Sequence, residues 1–326
     1  MRRATGALAG VAAALALSAC GGESEESAAA ESAPAAETRM VSHAAGDTEI
    51  TGSPQRVVVL DTGELDSAVA LGVEPVGAVE PIAGAGFPEY LADELEGVEI
   101  VGTIEQPNLE AIARLEPDLI LSSQIRHEAI YDQLSEIAPT VFTEEVGVTW
   151  KENFELHAEA LGLTEQAGEL QADYDEQVSA LRESLDADDE KTEVSVVRSV
   201  GDEVRIYLKA NFLGTILEDA GLPRPDEQDK AEFSETATVE RIPDLDGDVM
   251  FLSRYGDDHR LLNRLMENRL WDRLDVVEEE AVYEVPDDLW FLGIGNLAAR
   301  EVVEDLETVL VDGERLPGDD GNPTTE

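Results

Sequence analysis

The sequence predicts an α/β fold with two Rossmann-like lobes, joined by one long rigid helix and separated by a ligand cleft. Short β-branched runs alternate with helical patterns over residues 54–142, and a second alternating region covers residues 194–310. Such alternation is typical of parallel strands with crossover helices. Between the two regions, apolar residues recur every three or four positions over residues 164–185. This spacing predicts a helix of about 21 residues, which is about 30 Å long.

The first region can be divided into elements from its apolar runs and its helix boundaries. Asn108 is a predicted N-cap, and Pro117 ends the helix that Asn108 begins. Strands are predicted at residues 57–60, 75–79, 98–101, 118–122 and 140–142, and helices at residues 64–71, 108–115 and 126–137. Ligands of parallel sheets bind beyond the carboxyl ends of the strands, so the loops after these strands are candidate binding segments.

The N-terminal segment has the pattern of an export signal. Arg2 and Arg3 precede an apolar run over residues 7–19, which is too short for a membrane-spanning helix of about 20 residues. The run ends in Leu-Ser-Ala followed by Cys20, which resembles the lipobox of bacterial lipoproteins. Cys20 is the only cysteine, so no intrachain disulfide can form. We therefore expect lipidation at Cys20 and anchoring to the outer face of the cytoplasmic membrane.

These patterns together divide the chain into six segments. Residues 20–46 are small, acidic and poor in bulky apolar side chains, which predicts a flexible tether. The segments are a signal peptide (1–19), the tether (20–46), an N-terminal lobe (47–160), a connecting helix (161–190), a C-terminal lobe (191–312) and a polar tail (313–326).

The charge of the chain excludes some partners. It has 22 basic and 73 acidic residues, a net charge of 22 − 73 = −51. Without a basic stripe to offset it, this charge disfavours nucleic acid and anionic membrane surfaces. Among the basic residues, 18 are arginine, whose planar guanidinium suits the recognition of oxygen-rich anions.

Three arginines and a tyrosine are candidate ligand-binding residues. Arg126 lies just past the carboxyl end of a predicted strand. In the second region, a two-residue turn at Gly201-Asp202 would place Arg198 directly across from Arg205, with Tyr207 on the same face. Like charges in that arrangement repel each other unless an anion lies between them or acids neutralise them. The hairpin is therefore either half of an anion site or a neutralised surface pair.

Two further residues are candidates for the second lobe. Arg254 follows the strand over residues 249–253 and is the counterpart of Arg126. Trp290 precedes a Gly-Ile-Gly loop and suits either the core or an apolar ligand surface. Catalytic residues and a bound metal ion are not expected.

Two glutamates mark an internal repeat. Glu110 and Glu240 each lie on a short predicted helix, and each is followed eight positions later by an aspartate and a strand. We interpret the match as pseudo-symmetry between the lobes, which would let a two-fold partner hold both lobes at once.

Four motifs together resemble the iron-siderophore substrate-binding lipoproteins of bacterial ABC importers. They cover nearly all of the folded part. The motifs are RVVVLDTGELDSAVALGVEPVG (56–77), QPNLEAIARLEPDLILSSQIRHEAIYDQLSEIAPTVF (106–142), VSVVRSVGDEVRIYLKANFLGTILEDAGLPRP (194–225) and NRLWDRLDVVEEEAVYEVPDDLW with GNLAAREVVEDLETVL (268–310).

The resemblance implies a function and some residue roles. It implies capture of a ferric siderophore in the cleft by a monomeric protein, and delivery to an ABC transporter permease without catalysis or a cofactor. Glu110 and Glu240 match the glutamates that dock on permease arginines, and Arg126 matches a basic residue that faces the chelate.

Other functions remain open at this point. The same scaffold also serves cobalamin and haem binding, and related lipoproteins bind zinc or manganese directly. His127 is one of four histidines, none of which has a partner at metal-ligand spacing. Residues 293–298 match G-x-G-x-x-A, but no strand with the acidic residue of a dinucleotide site follows. The siderophore itself is not specified by the sequence.

Overall fold

The computed structural model describes residues 38–185 and 191–317. The predicted signal peptide, Cys20, the last five residues of the predicted connecting helix and the end of the predicted tail lie outside these residues. None of the helices in the described ranges combines the length and the apolar character that crossing a bilayer requires.

The strands alternate with helices along both lobes. In chain order the strands are β1 (Thr38–His43), β2 (Gly46–Thr51), β3 (Val57–Val59), β4 (Gly77–Glu80), β5 (Glu99–Thr103), β6 (Leu119–Ser123), β7 (Thr140–Thr143), β8 (Val194–Val200), β9 (Glu203–Tyr207), β10 (Ser234–Thr236), β11 (Val249–Tyr255) and β12 (Val282–Glu284).

The helices range from single turns of four residues to the 21 residues of the longest one. They are α1 (Thr62–Ala70), α2 (Leu109–Arg114), α3 (Gln124–His127), α4 (Tyr131–Ser135), α5 (Trp150–Leu161), α6 (Thr164–Ser184), α7 (Phe212–Ala220), α8 (Arg260–Met266), α9 (Asp275–Glu278), α10 (Asp287–Trp290) and α11 (Asn296–Leu310). Single turns of 3-10 helix lie at Glu89–Leu91, Glu128–Ile130 and Trp271–Arg273, and a longer one at Val239–Leu245.

Each lobe contains one five-stranded sheet. The first sheet has the order β5-β4-β3-β6-β7, and all its neighbouring strands are parallel. The second has the order β10-β9-β8-β11-β12, in which β8, β11 and β12 are parallel and β9 is antiparallel to both of its neighbours. The predicted two-lobed α/β fold is therefore confirmed.

The long helix α6 belongs to the cores of both lobes. Near its start, Ala167 packs in a cluster with Val57 and Phe154 of the first lobe. Further along, Tyr174 and Leu181 pack in the main cluster of the second lobe. Because one rigid helix is buried at both ends, α6 couples the two lobes directly.

Some boundaries differ from the sequence-based expectation. The predicted tether extends to residue 46, but β1 and β2 form an antiparallel hairpin that begins at Thr38. Its side chains Val41 and Ile50 are buried in the first lobe, and the backbone N–H of Ala44 donates to Phe142. Likewise Leu316, in the predicted tail, is buried in the core of the second lobe. A few well-placed apolar side chains thus order both segments.

The helix predicted over residues 126–137 is broken. It consists of α3, one 3-10 turn and α4, with breaks at His127 (φ −128°, ψ 19°) and Ile130 (φ −118°, ψ 8°). The imidazole of His127 is bound to Ser122 and to the carbonyl oxygen of Ile104, and these two bonds fix the ring beneath the turn. Moreover, α5 precedes α6 as a separate helix, over a segment for which no helix is predicted from the sequence.

The internal repeat has a structural basis. Asp118 accepts the backbone N–H groups of Gln55 and Arg56, just before β3. Asp248 accepts the backbone N–H of Glu193, just before β8. In each lobe the aspartate thus ties the start of its own strand to the start of the adjacent parallel strand, so the two lobes are built alike at this position.

Candidate functional site

A cleft of about 420 Å³ lies between the two lobes. The first lobe lines it with residues that follow the carboxyl ends of β3, β4, β5 and β6, because parallel strands bring these ends to one edge of the sheet. The second lobe lines it mainly with the β8–β9 hairpin, the end of β11 and the segment after α10. From the first lobe come Asp61, Thr62, Pro81, Ile82, Ile104, Glu105 and Arg126, together with Val146 and Gly147 after β7.

Arg126 reaches the cleft from α3 and is paired with Asp61. Its Nε donates to Oδ2 of Asp61 at 2.9 Å, while Oδ1 of the same carboxylate caps α1 by accepting the N–H of Thr62. Asp61 is buried and raises the pKa of the guanidinium. About a third of the Arg126 side chain stays exposed, and its two Nη atoms have no partner within the described ranges.

The hairpin has the predicted register. Arg198 pairs with Arg205, Ser199 with Val204 and Val200 with Glu203, so the two arginines lie directly across from each other. Their charges are neutralised, because each arginine has a carboxylate partner of its own. Acidic residues of the chain itself therefore offset the repulsion between the two arginines.

Arg198 forms the more buried of the two pairs. Its Nε and Nη2 donate to the two carboxylate oxygens of Asp287 at 2.6 and 2.5 Å, with only 9% of either side chain exposed. Ser253 donates to the same carboxylate at 2.8 Å. The guanidinium also lies over the rings of Tyr255 and Phe291, at 4.8 and 5.0 Å from their centroids. Arg198 therefore forms the fixed wall of the cleft in the second lobe.

Arg205 is more open to the cleft. Its Nε and Nη2 donate to Oε2 of Glu203 at 3.0 and 2.9 Å, and a third of its side chain is exposed. In the part of the chain that the structure describes, its Nη1 has no partner. Arg205 and Arg126 thus present free N–H donors to the cleft from opposite lobes.

Tyr207 connects the arginines to an aromatic wall. Its hydroxyl accepts a hydrogen bond from Arg198 at 3.1 Å and keeps its own hydrogen for donation. Its ring packs against Phe233 and Phe291, at 5.2 and 4.8 Å between centroids. Phe233 is about half exposed, as is Ile82 on the other lobe. The cleft therefore combines directional N–H donors with apolar surface.

Two of the predicted site residues have other roles. Arg254 does not line the cleft: its Nε donates to Glu284 at 2.5 Å, and it lies on the face of β11 opposite to Ser253 and Tyr255. Trp290 touches the cleft but is fully buried. Its ring packs on Phe251, and its N–H donates to Asp305 at 2.7 Å, so it is a core residue.

The paired glutamates of the repeat are exposed. Glu110 lies in the first turn of α2, after its N-cap Asn108, and Glu240 lies in the first turn of the Val239–Leu245 helix. The hydroxyl of Thr238 donates to Glu240 at 2.9 Å, and hydrogen bonding, first from the backbone of Glu240 itself and then from Thr238, lowers the pKa of this carboxyl. A docking role for the two glutamates stays a prediction.

Comparison with known proteins assigns the chain to a family. The family model described as periplasmic binding protein matches residues 57–289. A probable siderophore-binding lipoprotein of Bacillus subtilis is 40% identical over 90% of this chain and 93% of its own length. The chain belongs to the periplasmic binding protein family.

Two further proteins are similar to this periplasmic binding protein over most of its length. The achromobactin-binding periplasmic protein of Dickeya dadantii is 32% identical over 78% of this chain and 86% of its own. The crystal structure of Staphylococcus aureus SirA complexed with staphyloferrin B has a TM-score of 0.76 and 34% identity, covering 83% of this chain and 97% of the other. The likeness thus extends over both lobes and the helix between them.

Several cleft residues of this periplasmic binding protein are not among the site residues predicted from the sequence. Asp61 directly follows the apolar residues of the predicted strand 57–60. This position could have marked it as a cleft residue, because ligands of parallel sheets bind beyond the carboxyl ends of the strands. Asp287 lies 89 positions from Arg198, so no local spacing connects them. Phe233 directly precedes the short edge strand β10, which pairs with β9 of the hairpin. The sequence of β10 has no clear strand pattern, so this placement of Phe233 could not be predicted.

The histidines do not gather at the cleft. His127 is buried, and burial lowers its pKa. His157 is also buried, behind the cleft floor in the first lobe. Among the described residues, no three His, Cys, Asp or Glu side chains lie close enough together to hold a metal ion.

Proposed function

We propose that this protein captures a ferric siderophore between its lobes and delivers it to an ABC importer for iron uptake. The observation that carries the proposal is that Arg126 and Arg205 present free N–H donors to one cleft from opposite lobes. Ferric chelates expose the oxygens that hold the iron, and guanidinium groups bind such oxygens through charge-assisted hydrogen bonds. Relatives named for siderophore binding support the same ligand class.

The charge of the cleft narrows the ligand class. Arg126, Arg198 and Arg205 each have a carboxylate partner, and Glu105 adds an exposed acid at the rim. The cleft thus offers directional donors and aromatic surface instead of an excess of positive charge. We favour carboxylate or mixed siderophores because their peripheral oxygens can accept hydrogen bonds from the free N–H groups of Arg126 and Arg205, and their backbones can pack on Phe233 and Ile82.

A binding panel tests the proposal. Ferric staphyloferrin B, ferric achromobactin, ferric citrate, a ferric catecholate, a ferrioxamine, haem and cobalamin are titrated into the purified protein, and tryptophan fluorescence is recorded. We expect saturable quenching at the lowest concentration with a ferric carboxylate complex. Preferential binding of haem or cobalamin would replace the proposal with that alternative. Equilibrium dialysis that finds one bound zinc or manganese ion without a chelate would replace it with direct metal binding.

Export and anchoring belong to the same proposal. The relative of highest identity given above is named a lipoprotein, and the Cys20 segment has the lipobox pattern. We expect labelled fatty acid to be incorporated into the wild-type protein and not into the Cys20→Ser variant. Unlabelled wild-type protein in the membrane fraction would contradict the lipid anchor.

Delivery requires contact with the permease subunits. Glu110 and Glu240 are exposed at equivalent places in the two lobes, so a permease with two related halves can contact both at once. The protein acts in this scheme as a monomer that carries a ligand and performs no reaction.

A further inference from the structure

A second, much smaller cavity of about 10 Å³ lies directly beneath the floor of the cleft. It shares Asp61, Val146 and Ile294 with the cleft. Its wall contains the side chains of Glu64 on α1 and His157 on α5, both of which are 2% exposed. The chemistry of this pair is not explained by ligand contact, because neither side chain reaches the cleft.

The carboxyl of Glu64 is fully buried and has no hydrogen bond of normal length and angle within the described ranges, although its own backbone N–H and the Thr143 hydroxyl lie near enough to lower its pKa against the effect of burial. Both carboxyl oxygens of Glu64, the Nε2 of His157 and the Oγ1 of nearby Thr143 are buried without a partner. The Oε1 of Glu64 is 3.9 Å from the Nε2 of His157. A buried carboxylate without partners is costly, and the cost is removed when the group binds a proton.

The hydrogen bonds of Ser67 fix the tautomer of His157. The Ser67 hydroxyl donates its single hydrogen to the carbonyl oxygen of Gly63 at 2.8 Å. It must therefore accept from the Nδ1 of His157, which lies 2.9 Å away. Burial lowers the pKa of His157 to about 3, so the ring is neutral and its Nε2 carries a lone pair. A lone pair facing Glu64 complements a protonated carboxyl and repels an ionised one.

Every charged group around Glu64 can be named. The charged or titratable neighbours of Glu64 are Asp61 at the N-cap of α1, Arg126 on α3 and His157 on α5. Thr143 on β7 contributes only a hydroxyl. The other residues that line the small cavity carry no titratable group. Burial, and after it the charge of Asp61, raises the pKa of Glu64 to about 8, with Arg126 acting in the opposite direction.

We propose that Glu64 and His157 form a proton-binding site beneath the cleft, and that an anionic ferric chelate is captured together with a proton at this site. The inference rests on the proposed function. With the proton bound, Asp61, Glu64 and Arg126 carry charges of −1, 0 and +1, which cancel. Without it, two carboxylates lie beneath one guanidinium and repel an incoming anion. By linkage, a bound anion increases the proton affinity of Glu64.

Calorimetry of Glu64→Gln tests the linkage. Binding of ferric citrate and ferric staphyloferrin B is measured near pH 8 in buffers of different ionisation enthalpy, which yields the number of protons taken up. When the pH equals the pKa of Glu64, half of the wild-type molecules already carry the proton, so we expect an uptake of about half a proton for each chelate bound. We expect no proton uptake by Glu64→Gln. At higher pH the wild-type affinity should fall by up to about tenfold per pH unit relative to the variant. Glu169→Gln, on the exposed face of α6, is the control for loss of a carboxylate.

The outcomes separate the two proposals. If neither of these chelates nor any other ferric chelate of the binding panel binds the wild type, the proposed function fails. If a chelate binds and both proteins show the same proton uptake and pH dependence, the proton site is wrong. If Glu64→Gln does not fold, infrared spectroscopy of the ligand-free wild type decides. The band of a protonated carboxyl should disappear as the pH rises through about 8, well above the pKa of about 6 to which burial raises Asp66 and Asp305.

Discussion

The arginines of the cleft differ in how deeply their charge pairs are buried, and this decides what each contributes. The pair of Arg198 and Asp287 is almost completely removed from solvent, whereas the pair of Arg205 and Glu203 is a third to a half exposed. A buried charge whose partner is removed has a high desolvation cost. An exposed pair contributes little because water screens it.

The buried pair leads to a stability prediction. Arg198→Ala leaves the Asp287 carboxylate buried with only Ser253 as a donor, so we expect a loss of about 3–5 kcal/mol in the free energy of unfolding. Urea denaturation measures this loss. Arg205→Ala is the matched control from the facing position and should cost less than about 1 kcal/mol. Equal losses for the two variants would contradict the assignment of Arg198 as the structural member.

The exposed arginines lead to a binding prediction. Arg126→Ala and Arg205→Ala each remove N–H donors that face the cleft, so we expect at least a tenfold weaker binding of a ferric carboxylate complex, or about 1.5 kcal/mol. Fluorescence quenching gives the dissociation constants. Arg114→Ala removes a more exposed arginine on α2, outside the cleft, and should leave the dissociation constants unchanged. Unaltered affinity in both cleft variants would remove the two residues from the binding site.

At the scale of elements, α1 and α11 join the two lobes at a polar contact. The buried carboxylate of Asp66 accepts the first N–H groups of α11, from Leu297 at 3.0 Å and Ala298 at 2.9 Å. Tyr90 donates to the same group at 3.0 Å. The approach is so close that a Cβ atom on Gly295 would lie 2.2 Å from Oδ1 of Asp66. The glycines of residues 293–298 thus serve helix packing, not a phosphate.

This contact predicts opposite effects for two glycine substitutions. Gly295→Ala must push Asp66 away from the N-terminus of α11, and we expect a destabilisation of about 1–3 kcal/mol. Gly168→Ala, on α6 with open space around its Cα, should stabilise the protein by about 0.5–1 kcal/mol because alanine favours the helix. Thermal unfolding of the two variants gives both signs. A neutral Gly295→Ala would show that the close approach does not constrain the lobes.

How much the sequence could predict depends on how far apart the interacting residues lie along the chain. The turn at Gly201-Asp202 sets the register of its own hairpin, so the facing of Arg198 and Arg205 was predictable. The alternation of side chains along a strand likewise places Arg254 on the face of β11 opposite to Tyr255, away from the cleft. The partners Asp287 and Leu297 lie 89 and 231 positions from Arg198 and Asp66. Only the folded chain brings such groups together.

At the scale of the whole molecule, the net charge of −51 makes stability depend on salt. Like charges repel each other in the compact state, and salt screens this repulsion over a Debye length of about 30 Å at 0.01 M and about 3 Å at 1 M. We expect the urea midpoint to rise as sodium chloride increases across this range. Urea is the suitable denaturant because, unlike guanidinium chloride, it adds no ions. A midpoint that falls would show that attractive ion pairs outweigh the repulsion.

The two-lobed repeat leads to a prediction about transport. Glu110 and Glu240 occupy the first turn of equivalent helices and lie outside the residues that line the cleft, so their charge can be reversed without touching the ligand. Lysine in a first turn costs only about 0.3–1 kcal/mol through the helix dipole. We therefore expect Glu110→Lys and Glu240→Lys to keep the dissociation constant of the ferric chelate but to reduce iron uptake by whole cells, with the double variant most affected. Glu169→Lys on α6 should leave uptake unchanged. Normal uptake by the double variant would exclude these glutamates from permease docking, and weakened ligand binding would show that they act on the cleft instead.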